Sequence, residues 1–285
     1  MADLASSRAA MRLLTREARV TYAPVPPSLG EVEVGPGQSR MMGGSYLLHS
    51  DSGYRYFYQP GAGIRIERPD TFDLAEEALW LNGSVYAAVA SINGFMPIHA
   101  SAVAHEGQVY AFTGPSGAGK STLIAALGSA GMAMFCDDTL VLDFSNPEQI
   151  VCLPGHKRLK LSAEAIGLTG AAREEKVGAM IDKFYAAPPA GHVREPLPLA
   201  RLVFLEEGPE PALVPITGAE RFARLTNDHY TAELFALGQQ LDLGGRFAVQ
   251  ARMAGQIAMH RLIRPRDTAR FAESVELARQ LVTGS

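Results

Sequence analysis

The sequence predicts an α/β fold, in which a phosphate-binding-loop sheet is joined to a small N-terminal lobe rich in β-strands. Three observations carry that expectation. Residues 108–138, QVYAFTGPSGAGKSTLIAALGSAGMAMFCDD, run from an apolar strand-like stretch through a glycine-rich loop and a helix-forming stretch into a second apolar run. Residues 45–67 break into short strand-forming runs at turn signals. With 285 residues, 47% of them hydrophobic, the chain can bury a sizeable core.

Residues 1–19 set Arg8, Arg12, Arg16 and Arg19 beside Leu4, Met11, Leu13 and Leu14, the pattern of an amphipathic helix or a frayed arm with a solvated basic face. They lack the hydrophobic core of a signal segment. Pro24, Pro26 and Pro27 then stiffen the chain, and residues 35–44 are glycine-rich. Strands are expected at 46–48, 54–58 and 63–66, separated by Asp51-Ser52-Gly53 and Pro60-Gly61. Tyr54, Tyr56, Phe57 and Tyr58 read as a stacking surface or, as is commoner for such clusters, as packing between layers. Residues 71–93 read as a helix whose buried side carries Phe72, Leu74, Leu79, Leu81, Val85 and Val89, with Trp80 a core residue. The expected division is an arm and β-rich lobe, residues 1–94, and a phosphate-loop domain, residues 95–285.

The loop Gly114, Pro115, Ser116, Gly117, Ala118, Gly119, Lys120, Ser121 matches G-x-x-x-x-G-K-[ST] without a gap. Val109, Tyr110 and Phe112 before it form a strand. Leu123, Ile124, Ala126 and Leu127 after it form a helix that stops at Gly128 and Gly131, with Thr122 in the first turn. In such a loop the glycines let backbone N–H groups point at phosphate oxygens, and the helix opening adds the positive end of its dipole. Lys120 is placed to reach the β- and γ-phosphates, and the Ser121 hydroxyl to ligate Mg²⁺. The next apolar run, 132–136, ends in Asp137 and Asp138. A right-handed strand–helix–strand unit opens both strand ends on one sheet edge, so the carboxylates should face the phosphates. Two adjacent carboxylates suit two tasks, one near a metal and one free to take a proton from an attacking hydroxyl.

Beyond residue 143, a turn at Asn146-Pro147 leads to a strand at 150–153 and the basic segment PGHKRLKL. As a strand it would set Arg158 and Lys160 on one face and Lys157 on the other; a clamp on phosphates or an acidic peptide and a solvated basic loop both fit it. Residues 162–168 read as a short helix, and 171–183 show no clear period. The proline-rich stretch 188–198 is a candidate substrate flap. Strands at 201–205 and 212–216, the first ending at Glu206 and Glu207, precede helices at 221–225, 230–241 and 246–260. A late edge strand at Leu262 and Ile263 and a final helix capped by Asp267 close the chain.

His99 in MPIHASAV, GPSGAGKST and FCDDTLVLD together resemble the catalytic core of the HPr kinase/phosphorylase family, whose fold is related to PEP carboxykinase. More closely, the chain is similar to the HPr-kinase-like serine kinases of bacterial peptide-modification clusters, including those that phosphorylate lasso-peptide precursors. The specific match spans residues 95–143. The resemblance implies ATP and Mg²⁺ as cofactors and a peptide or small protein with a serine hydroxyl as partner. It implies that Asp137, with His99, acts on the acceptor proton while Asp138 lies by the metal. A homo-oligomer is compatible with it. Two departures stand out: Thr122 replaces the glutamate usual after the loop serine, and no E-I-R-G-L-G signature follows the aspartate pair. Phosphorylase activity, which that signature serves, is therefore not expected, and hexameric assembly is not implied. A small-molecule hydroxyl kinase and a nucleotide-gated binding protein without a catalytic base are the rival readings.

The net charge of −4 and the absence of a basic stripe with interleaved aromatics exclude the electrostatic footprint of a nucleic-acid binder. No apolar run reaches the length of a membrane span. Cys136 and Cys152 alone make no disulfide framework or zinc spacing, so a reducing cytoplasm is the expected compartment.

Overall fold

Alternation along residues 45–67 places every second side chain on one face, and the computed structural model, which describes residues 4–155, 158–178, 181–226 and 229–284, resolves it into a sheet. Its order is Val20–Tyr22, Gly63–Glu67, Arg55–Gln59, Ser45–His49, Gln38–Met42. Tyr46 pairs with Tyr58 and Tyr58 with Ile64, while Leu48 pairs with Tyr56 and Tyr56 with Ile66, so two rows of large apolar residues line one face. That face is buried against helix Ala5–Glu17 and the helical stretch 74–92, in a cluster that also takes in Val141, Leu153 and Leu234 from later in the chain. Two tyrosine hydroxyls find partners inside it: Tyr58 donates to Glu17 at 3.0 Å and Tyr56 to the Glu77 carbonyl at 3.2 Å. Tyr54, Tyr56 and Tyr58 are thus packing residues. Phe57 turns to the opposite face, against a small cluster of Val25, Leu29, Val34 and Leu47.

The expected helix over 71–93 is interrupted. It runs Leu74–Trp80, passes through a π-helical turn Leu81–Val85, and continues Tyr86–Ile92. Asp73 caps the first segment by accepting from the Ala75 N–H at 2.8 Å, which leaves Phe72 outside the helix and Leu74 in its first turn. Both are exposed rather than buried, and Phe72 lies under the Arg68 guanidinium.

The large sheet has nine strands around Leu197–Glu207. That strand runs parallel to Gln108–Thr113 on one side and to Ala258–Arg264 on the other. Both faces are covered, as the apolar density of these strands requires. One face packs Phe112, Val103 and Val203 on helix Lys120–Ser129 and on Ala278 and Val282 of helix Phe271–Thr283. The other packs Ala111, Leu202 and Met259 against Phe235 and Met253.

Three expectations are corrected by sheet pairing. Residues 258–264 form an interior strand rather than a helix end and a late edge, and Ala212–Ile216 pairs with it. Residues 173–186, charged and without clear period, form the hairpin Arg173–Gly178 and Ile181–Ala186, which with Leu159–Leu161 makes a three-stranded sheet. The stretch 188–198 is no free flap: Met134 N–H donates to Gly191 O and Val193 N–H to Met134 O, both at 3.0 Å, seating it along edge strand Ala133–Cys136. Among the described residues no helix is long and apolar enough to cross a membrane.

Candidate active site

Strands Gln108–Thr113 and Ala133–Cys136 are not neighbours; Ala100–His105 lies between them, antiparallel to both. An antiparallel strand begins where its neighbours end. His99 therefore precedes Ala100 at the same edge where Gly114 follows Thr113 and Asp137 follows Cys136. This one topological fact gathers residues from three separate stretches, and Thr113 tightens it by donating its hydroxyl to His99 O at 2.9 Å.

The loop needs its glycines at two positions above all. Gly114 has φ 151°, and a Cβ there would come within 3.0 Å of Leu205 O. Gly119 caps the helix at φ 74°, and a Cβ there would meet the Arg264 guanidinium at 2.8 Å. A side chain at either would fill the cradle and strain the backbone. Lys120 opens the helix, 6% exposed, with Nζ donating to Gly114 O at 2.8 Å and Pro115 O at 3.1 Å. Pro115, Ser116, Gly117 and Ala118 complete the turn, closed by Ala118 N–H to Pro115 O at 3.1 Å.

The two aspartates sit differently from the expectation carried by the resemblance. Asp137, expected to meet the acceptor proton, is wholly buried. Its Oδ1 accepts from Ser121 at 2.8 Å and Ser101 at 2.6 Å, and its Oδ2 from the Lys160 N–H at 3.3 Å. Asp138, expected beside the metal, is a non-glycine residue at φ 74°, and its side chain is 32% exposed. Its Oδ2 receives the Lys160 ammonium at 2.6 Å, and its Oδ1 lies 3.4 Å from His99 Nδ1. His99 Nδ1 is also 3.0 Å from the Asp138 carbonyl, which can only accept; in the neutral ring Nδ1 then carries the proton and Nε2 the lone pair. Burial pushes the Asp138 carboxyl up, but Lys160, His99 and Lys120 outweigh it and hold the group below the usual carboxylate range.

Three cavities surround the loop. One of about 220 Å³ is lined by His99, Lys120, Ser121, Asp138, Lys160 and Lys183, among others. A second, about 360 Å³, lies between His99, Thr113, Phe204 and Arg224. The largest, about 620 Å³, runs along Ser116–Gly119 and Thr122 toward Arg264 and Phe271. Ser101 escaped the sequence reading although its spacing of two from His99 is a strand-face signal. Lys183 and Arg264 carried no motif at all. The basic segment divides: Lys160 enters the cleft, whereas Arg158 pairs with Glu174 and Glu175 and lies 3.7 Å from the centre of the Tyr185 ring. Lys157 lies outside the described residues. Glu206 and Glu207 pair with Arg224 and Arg266.

The donor set suits a hard divalent cation. Ser121 and the two aspartates offer a hydroxyl and carboxylate oxygens, and among the described residues no group of three or more His, Cys, Asp or Glu forms a closed metal cage. Mg²⁺ is typically held in this way, by one or two carboxylates with the remaining positions left to water and phosphate.

No family model and no curated protein matches this chain. The solved structure of the Hpr(Ser) kinase/phosphatase from Coxiella burnetii is similar over 66% of this chain and 99% of that one, at 13% identity and a TM-score of 0.34. A superposition that loose transfers no residue roles.

Proposed function

We propose that this protein is an ATP- and Mg²⁺-dependent kinase that transfers a phosphoryl group to a serine hydroxyl of a peptide or small protein in the cytoplasm. The observation that carries this reading is the single cluster of a phosphate loop, a loop serine bonded to a buried carboxylate, and a second, accessible carboxylate beside a histidine. Phosphoryl transfer asks a protein for positioning and charge neutralisation more than for covalent chemistry. Bound Mg²⁺ would neutralise phosphate charge. Lys120 would add positive charge at the β- and γ-phosphates.

We assign the carboxylates in the reverse of the order the resemblance implies. Ser121 and Asp137 would hold the metal, because the buried Asp137 already shares a hydrogen bond with the loop serine. Asp138, with His99 at its side, would accept the acceptor proton, because a base must come within about 3 Å of the hydroxyl and only Asp138 of the pair opens on the cleft. Lys160 keeps Asp138 ionised and therefore able to accept. The peptide acceptor follows the resemblance to kinases of peptide-modification clusters, those of lasso-peptide precursors included, in which a serine on a flexible segment reaches such a cleft more readily than one inside a folded domain.

The test is single-turnover transfer and nucleotide binding in Asp138→Asn and Asp137→Asn. Asp138→Asn should bind Mg²⁺–ATP normally and lose transfer, while Asp137→Asn should lose the Mg²⁺ dependence of nucleotide binding. Wild-type turnover in Asp138→Asn would overturn the assignment. Mass spectrometry of candidate peptides should show a gain of one phosphate; modification of free serine with peptides untouched would establish the small-molecule reading instead.

A further inference from the structure

Arg264 ends strand Ala258–Arg264, which runs parallel to Leu197–Glu207 and through it to the strand that leads into the loop. Its end therefore reaches the same sheet edge. There its guanidinium lies against the loop backbone: a Cβ on Gly119 would meet Nη2 at 2.8 Å and Nη1 at 3.1 Å. The neighbouring arginines have carboxylates. Arg224 pairs with Glu206 and Glu220, Arg266 with Glu207, and Arg270 with Glu210 and Glu273. Arg264 has no carboxylate partner among the described residues, although it is half-buried and burial alone acts on its pKa, downward. A cation withdrawn from water without an anion is costly, and here it stands beside a loop built to receive one.

The 620 Å³ cavity that Arg264 borders is of the size that takes a small ligand, about 300–1,000 Å³. Ser116, Gly117, Gly119, Thr122 and Ser162 line both it and the 220 Å³ cavity at Lys120 and Ser121, so the two spaces adjoin along the loop. The competing 360 Å³ space carries His99, and its arginine, Arg224, is already paired. That space is left for the acceptor.

We propose that Arg264 binds the phosphates of the donor nucleotide from the outer side of the loop, and that the cavity it borders holds the nucleoside. This rests on the kinase reading above and adds where the donor lies and a residue that holds it. The cavity would admit the base past Thr268 and Phe271, while the γ-phosphate end points toward Asp138.

The experiment compares binding of ADP and of tripolyphosphate, each with Mg²⁺, to the full chain by calorimetry. Arg264→Ala should weaken both ligands by about 10- to 100-fold, the loss expected for a charge-assisted hydrogen bond, and Arg264→Lys should recover part of it. Thr268→Trp, at an exposed position on the cavity wall, should weaken ADP by about tenfold or more and leave tripolyphosphate unchanged. Wild-type ADP affinity in a folded Arg264→Ala protein, checked by circular dichroism, would overturn the proposal while leaving the kinase reading intact. Unchanged ADP binding in Thr268→Trp, with weakening in Phe204→Trp, would move the nucleoside to the His99 side and likewise overturn it. A wild-type protein that binds neither ligand would overturn both readings together.

Discussion

The tyrosine core of the first sheet and the loop edge of the large sheet bury polar groups in opposite ways. In the first, Tyr54, Tyr56 and Tyr58 each carry their hydroxyls to partners within the chain, at Asp73, Glu77 and Glu17. At the loop edge, Asp138 stands half-open in a left-handed conformation, and Arg264 faces the loop with no carboxylate partner among the described residues. Paired hydroxyls of this kind stabilise one packing, whereas strained or uncompensated groups persist where a ligand is to complete them. Burial alone therefore does not mark a site; a left-handed aspartate and a half-buried cation beside the loop's cavity are what distinguish this edge.

The comparison can be broken from either side. The largest effect is expected at Tyr56→Ala: removing a wholly buried aromatic should cost about 3–5 kcal/mol of stability, read as a lower denaturant midpoint, with nucleotide affinity of the remaining folded protein unchanged. A parallel loss of affinity would mean that the two regions are coupled. Next comes Lys120→Ala, which should lower transfer about 10²- to 10³-fold and weaken nucleotide binding, since it removes the loop's own cation. Turnover at the wild-type rate in that variant would sink the phosphate-loop assignment.

The smallest effect sharpens the contrast rather than breaking it. Asp138 is held below the ordinary carboxylate range against its own burial, chiefly by Lys160. A carboxyl depressed in the folded state adds stability above its unfolded pKa and loses it as pH falls through the folded value. Lys160→Met should therefore raise the Asp138 pKa and move the acid limb of the rate profile to higher pH, with the smaller acid-side stability gain lost as well. An acid limb that stays in place would remove Asp138 from the proton-accepting role.

Much of the architecture was legible because it is local. The strand, loop and helix of residues 108–129 and the alternation of residues 45–67 depend on neighbours a few positions away, and both appear at nearly the expected bounds. Residues 258–264 were misread because a helix end and an interior strand are both apolar there, and only pairing with Leu197–Glu207 separates them. The hairpin 173–186 was missed because its outer face is charged and its register shifts leave no clean period.

By itself, the sequence determined the glycine-rich loop between strand and helix, the lysine and serine that end its motif, and the presence of two carboxylates at the end of the next strand, since each is a matter of residue type at fixed spacing. Only the tertiary structure decided which carboxylate faces which partner. Met134, Phe135 and Cys136 are all buried, so the strand has no polar alternation from which to count faces, and the turn at Asp138 resets the phase. Lys160 and Arg264 likewise reach the loop only through strand pairing between distant stretches, and sheet pairing is a long-range contact that no local pattern encodes.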